Sequence, residues 1–446
     1  EGKLKLTDTL DKFIPQVPNA RKITIGQILA HRSGIPNVRR DQATWKPGAP
    51  VTKDEMLALI AKGTPEFEPD TKSSYSNSGY FLLGLILETI TGKPYDQEAY
   101  ANRIRGAVAE MVRQQVECGV DIVTDGEQSK PSFNAYLVER LTGIEPVASS
   151  EERIAARMKT DEARAFPEYY EKYFAEHMCG VGPNLPVACT GPITYKGQQA
   201  VQTDIENLRA AFNGLSPEEV FMPAIAPGFF SNQYYRTEEE FQYALAEALR
   251  VEYLAIVDAG FILQIDDPSL TRLYRTEPSL TVAERVRDAE IYIEALNHAL
   301  RGIPEAKIRY HTCYGINEGP RVFDIPLKDI IGLMLKVNAE AISFEAANPR
   351  HEHEWRLWEN IKLPAGKILI PGVITHCSNI VEHPELVAER IIRYAKLVGR
   401  ENVIGGSDCG FSSQATFTPE IHPTVVWAKF KAMAEGAKIA TKQLWS

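Results

Sequence analysis

From about residue 100 to its end the chain alternates short apolar runs with long amphipathic stretches, and this alternation limits the folds open to it more than any other feature. The runs are 120–127 (VDIVTDGE), 186–193, 220–227, 261–268, 307–315 (KIRYHTCYG), 341–348, 367–374 and 402–410, and most close on Gly, Pro, Asp or Glu. Such runs suit strands buried on both faces, and stretches such as 238–259 and 281–301 suit the helices that cover them. Repeated βα units build a parallel sheet. About eight of them predict an α/β fold, a (β/α)8 TIM-type barrel with its chemistry at the strands' C-terminal ends.

The first hundred residues read differently. TIGQILAHRSG (24–34) and TKDEMLALIAKG (52–63) each open on Thr and close on Gly, and SNSGYFLLGLILETITG (76–92) repeats apolar residues at helical spacing. The expected division is a mainly helical part, 1–98, and the barrel, 99–446, with the join near 94–104. No internal repeat or low-complexity segment is present. A hydrophobic fraction of 44% is ample for packed cores, and a net charge of -10 argues against nucleic acid or anionic membrane as partner and for small molecules. The longest apolar run, 79–90, contains Glu88 and is shorter than the roughly 20 residues a membrane helix needs. Six scattered cysteines read as reduced thiols of a cytoplasmic protein, free to bind metal. With Glu1 first and no initiator Met, the chain's start is expected upstream.

On a strand, residues two apart face the same way, so His311 and Cys313 point together into the barrel mouth. Alone, such a pair is as easily two core residues as half of a metal site. Glu345 follows about one βα unit later and Cys409 about two units after that, which brings all four to one rim. An imidazole, two thiolates and a carboxylate suit tetrahedral Zn2+ better than magnesium or calcium. Glu127 and Asp266 end two further strands, where they could hold a cationic amino group; the plain alternative is helix capping at βα turns.

DIVTDGE, TGPIT, EYLAIVDAGFILQIDDP, HTCYG, SFEAANPRHEHEW, PGVITHCSNIVEHPELVAERI and SDCGF together resemble the catalytic barrel of cobalamin-independent methionine synthases, through nearly all of 100–446. The resemblance implies zinc held by His311, Cys313, Glu345 and Cys409, the homocysteine amino group held by Glu127 and Asp266, and a general acid at His376. Zinc would keep the thiol substrate as thiolate for attack on an alkyl group, methyl in the simplest case. There are departures. GPITYKG lacks the Trp, and DDPSLTRL the Arg-Glu pair, of the methyl-folate enzymes, so the donor stays open among methyl-folate, a methyl-corrinoid and an epoxide, and the acceptor between homocysteine and coenzyme M. The family's first strand, with its Gly-Ser, has no counterpart before residue 100. If 186–193 and 220–227 are pieces of one split strand, the barrel lacks strand one.

Residues 1–98 resemble a fragment of a serine hydrolase of the class C β-lactamase and D-alanyl-D-alanine carboxypeptidase kind, through GKLKLTDTLDKFIPQ, ITIGQILAHRSGIP and FEPDTKSSYSNSGYFLLGLILETITGKPY. Tyr75-Ser76-Asn77 falls on its Tyr-x-Asn motif, but Ser-x-x-Lys is absent from the chain, so a helical piece without hydrolase activity is expected. One expected role is to cover the sheet edge that a missing first strand would leave. A serine hydrolase and a catalytically dead fusion stand as the competing readings of the whole chain.

Overall fold

The computed structural model describes residues 4–38, 52–74, 76–92, 96–146, 155–177, 187–228, 230–272, 282–315, 319–412 and 421–446. Seven parallel strands form the main sheet: β1 (Ile122–Val123), β4 (Glu219–Ile225), β6 (Ile262–Asp267), β7 (Ile308–Thr312), β8 (Ala341–Phe344), β9 (Ile368–Ile374) and β10 (Gly406–Ser407), in that spatial order. The register is regular through the middle, with Asp266 beside His311 and His311 beside Ser343. β1 pairs on one side with β4 and β10 on one side with β9; among the described residues neither has a partner on its other side. The described strands thus form a curled, open barrel, with a flank between β10 and β1 that no described strand fills.

The expected strand at 186–193 lies elsewhere. β3 (Val187–Cys189) joins β2 (Ile144–Pro146), antiparallel, and β5 (Ser231–Asn232), parallel, in a separate three-stranded sheet. A count from the sequence therefore overstates the barrel by one, because a short apolar run looks the same whichever sheet receives it. A buried charge cluster joins the segments that flank this side sheet to the helices around the barrel. Arg140 pairs with Asp204 and, through Nη1 at 3.2 Å, with Glu252, which also accepts the hydroxyls of Tyr136 (3.1 Å) and Tyr195 (2.7 Å). Removing one partner of a buried network leaves the others charged and unpaired, so Arg140→Ala is expected to cost roughly 3–5 kcal/mol. Chemical denaturation followed by far-UV circular dichroism would measure it.

The N-terminal helices form where their caps predict. α1 (Ile25–Leu29) and α2 (Lys53–Lys62) open on complete capping boxes, Thr24 with Gln27 and Thr52 with Glu55. α3 (Asn77–Thr91) opens on Ser76, whose hydroxyl accepts the Gly79 N–H, and ends at left-handed Gly92. Their apolar faces meet in a core of their own, including Leu10, Ile25, Ile28, Ile60, Leu82 and Ile86, separate from the barrel core. The expected edge-covering role is not met: the bridge in this segment is Thr9 to Thr24, and no described residue of 1–98 pairs with β1 or β10. The buried apolar residues described in this segment go into that core, and none of its described residues forms a strand. The flank between β10 and β1 is instead walled by side chains of α4 (Gln97–Glu117) and of the C-terminal helix Pro423–Leu444. Among the described residues no helix is long and apolar enough to cross a membrane.

Candidate metal centre

His311, next to last in β7, points into the barrel, and Cys313 follows on the same side just past the strand. Cys409 comes from the turn after β10. His311, Cys313 and Cys409 converge so that their donor atoms all lie within 4.8 Å of one another, the two sulfurs 2.8 Å apart. His311 Nδ1 meets the Ser343 hydroxyl at 3.2 Å, which fixes the ring and leaves Nε2 for the sulfur side. The Cys409 thiol hydrogen-bonds Cys313 and, against the cost of burial, holds the Cys313 thiol well below its usual range, with His311 adding to the effect; Cys409 rises correspondingly. Burial alone would lower the pKa of His311, but Cys313 and Asp266 outweigh it and raise it. One imidazole and two thiols at this spacing are a soft donor set that fits a zinc-like ion, with room for further ligands.

Glu345, the expected fourth ligand, sits in a different cluster. Its carboxylate is buried and accepts Arg321 Nη2 at 2.6 Å, the Tyr314 N–H at 3.0 Å and Asn348 Nδ2 at 2.9 Å. It groups with His376 and Asp408 rather than with the two thiols. The spacing that put Glu345 on the right rim could not reveal Arg321, whose positive-φ backbone (55°) turns it in to compete for the carboxylate.

His376 is buried, with Nε2 3.1 Å from the Gly315 carbonyl and 3.2 Å from Cys377 Sγ. Burial works against its charge, but Cys377 and Glu345 push its pKa up to about 10. It is not among the described residues lining the cavity, so a general acid at this position would have to reach the reacting atoms through other groups.

The two expected substrate carboxylates do line that cavity, a space of about 1110 Å3 that also takes in His311, Cys313 and Cys409. Asp266 is driven up to about 7, chiefly by burial, with the nearby Glu127 carboxylate adding to the rise; an ammonium between them would relieve both. Glu127 already holds one cation, the buried Lys130, at 3.1 Å. Lys130 was not singled out in the sequence, and its position three residues on was the available signal.

Below Glu127, Asp125 is fully buried and accepts the Glu127 N–H at 2.9 Å. Burial, opposed by Lys130, raises its pKa from 3.8 to about 6. The fold thus favours its neutral form: this contribution to stability is full below about pH 4 and is lost as pH rises through 6. Asp125→Asn is expected to flatten the fall in melting temperature between about pH 4 and 6.5, as read by differential scanning calorimetry; an unchanged slope would contradict it.

Asp408, inside the SDCG turn, is the main site residue the sequence reading passed over. Its Oδ1 accepts the N–H groups of Ala346 and Ala347, both at 2.7 Å, and its Oδ2 accepts the Asn348 N–H at 2.9 Å and Nδ2 at 3.0 Å. It thereby pins the loop after β8 beside Cys409. β9 makes room with Gly372, where a Cβ would stand 2.0 Å from Asp408 Oδ1 and 2.7 Å from its Cα.

Fold and site together define an open parallel α/β barrel with an imidazole and two thiols at its C-terminal rim that could hold a soft metal ion. Residues 222–429 match the family model described as the cobalamin-independent synthase catalytic domain, and residues 1–105 match the β-lactamase family model. A methionine synthase of Sulfolobus acidocaldarius is 24% identical over 229 residues, 49% of this chain and 54% of that protein; one of Saccharolobus solfataricus is 24% identical over 356 residues, 78% of this chain and 86% of that protein. Among solved structures, a B12-independent methionine synthase from Shewanella sp. W3-18-1 in complex with selenomethionine superposes with a TM-score of 0.59 at 20% identity, over 79% of this chain and 91% of that one. The two resemblances read from the motifs are thus recovered independently, each in its own stretch of the chain.

Proposed function

We propose that the protein transfers an alkyl group, methyl in the simplest case, to the sulfur of a small thiol, homocysteine first, with zinc held by His311, Cys313 and Cys409. The observation that carries this reading is the convergence of those three donors at the rim of a substrate-sized cavity. The methionine synthase names of the relatives support the same chemistry. Zinc, when bound, would hold the substrate thiol as a thiolate near neutral pH. Glu345 is the fourth protein ligand if its carboxylate leaves Arg321; otherwise that position stays with the substrate, as catalytic zinc sites require.

The chain's own residues supply the rest. Asp266 and Glu127 orient an amino group, with Lys130 setting how much of the Glu127 charge is available. Ser343 holds the His311 ring, and Asp408 keeps the Cys409 turn against the loop after β8. We place the working division of the chain at 98/99, with no catalytic part for residues 1–98; Tyr75 of the Tyr-x-Asn motif lies outside the described residues.

The test is an alkylation screen on zinc-loaded protein, with homocysteine and coenzyme M as acceptors and methyl-folate, a methyl-corrinoid and an epoxide as donors. Product formed with homocysteine and suppressed by Asp266→Asn supports the reading. Turnover of nitrocefin abolished by Tyr75→Phe, with no thiol alkylation, would replace it by the hydrolase reading.

A further inference from the structure

In a spatial order that begins with β1 and ends with β10, β7 is the middle strand, so it faces the flank that no described strand fills. Arg309, His311 and Cys313 share the inward face of this strand and its end, with Arg309 about 7 Å below His311 at the ~3.3 Å rise of a parallel strand. Arg309 is half-buried, lines the cavity and stacks its guanidinium 4.1 Å from the Phe221 ring centre. Its Nε has no hydrogen-bond partner. Asp266 and Glu219 act on it electrostatically, but among the described residues neither makes an ion pair or hydrogen bond with it. It is also the only guanidinium or ammonium among the described lining residues. A guanidinium inside a barrel with no hydrogen-bonded anion among the described residues carries a desolvation cost that such an anion would offset.

The opposite wall is apolar. Between β10 and β1 the cavity is bounded by Met111 of α4 and by Val426, Trp427, Phe430, Met433 and Ala437 of the C-terminal helix. The side chains of a filled strand position would normally occupy this space, since an eight-stranded barrel is only just wide enough for its own interior residues. The volume here exceeds what a drug-sized ligand needs.

We propose that the barrel interior is a second binding site, for a linear aliphatic acid: its carboxylate pairs with Arg309 and its chain runs out along Trp427, Phe430 and Met433. Carboxylates at both ends of the cavity, Glu127 and Asp266 above and Glu218 and Glu219 below, confine an anionic head to the Arg309 level. A planar fork on an aromatic ring is well suited to a carboxylate, and the site does not depend on the metal reading.

The test uses the full chain, with decanoate as probe and decanol as its uncharged counterpart, followed by tryptophan fluorescence. Decanoate is expected to give a saturable change that disappears in Trp427→Phe. Arg309→Gln should weaken decanoate by about 10- to 100-fold and leave decanol unchanged, while Arg309→Lys keeps most of the affinity. Unchanged decanoate binding in a folded Arg309→Gln overturns the proposal. If that variant does not fold, the wild-type comparison decides: decanoate binding no tighter than decanol overturns it, and a clear preference for decanoate supports it.

Discussion

Cys409→Ser is expected to take bound zinc from about one ion per chain to near none after dialysis, and to abolish thiol alkylation with it. The serine hydroxyl is close in size but stays protonated near neutral pH, so the cluster of His311, Cys313 and Cys409 would lose one of its two sulfur donors and the charge that goes with it. Loss even of an outer-shell partner typically costs 10- to 100-fold in metal affinity, so loss of a ligand should exceed about 100-fold. Cys313→Ser should behave alike, because the two sulfurs lie 2.8 Å apart and serve the same position. Ser343→Ala should weaken zinc only modestly, since it frees the His311 ring without removing a donor. Elemental analysis of the three variants separates these outcomes. Full zinc retention in Cys409→Ser would remove the metal centre from the proposed mechanism.

Asp408→Ala should produce the largest loss of stability among rim substitutions. Its carboxylate is the acceptor for three backbone N–H groups and one side-chain amide of residues 346–348, all buried. Each buried donor left without an acceptor costs about 1–3 kcal/mol, and water can replace the lost oxygens only if the turn opens. Because the turn can open and admit water to part of these donors, the net loss is expected to match that of a buried ionic network that loses one partner, roughly 3–5 kcal/mol, equivalent to a fall of about 10 °C in the barrel's melting temperature. Asp408→Asn should cost less, because one carbonyl oxygen remains to accept. Zinc affinity should fall with stability in Asp408→Ala, since the turn carrying Cys409 loses its anchor. An unchanged melting temperature by calorimetry would mean that the loop after β8 is held by other contacts.

The secondary structure was largely legible because its signals are local. Thr24 and Thr52 were readable as helix starts since a cap acts on backbone groups within the next three residues, and α3 was readable from its apolar spacing. The pairing of His311 with Cys313 was readable since side chains alternate along a strand, and Cys409 joined them because βα spacing returns the chain to the same rim. Glu345 was placed on the correct rim for the same reason, yet its partner was not foreseeable, because Arg321 arrives through a loop whose course no periodicity records. Asp408 was passed over since a carboxylate that satisfies backbone N–H groups of another strand's loop leaves no pattern in its own neighbourhood.

The α/β class, the caps of α1 and α2 and the meeting of His311, Cys313 and Cys409 on one rim all follow from the period of a helix or strand and the chemistry of single residues. Which runs share a sheet, that seven described strands form the barrel beside an apolar-walled flank, and that Arg309 faces that flank emerge only once the chain is folded. Those facts depend on which distant segments pair, and pairing is a competition for burial among the whole chain's apolar faces that no local stretch encodes.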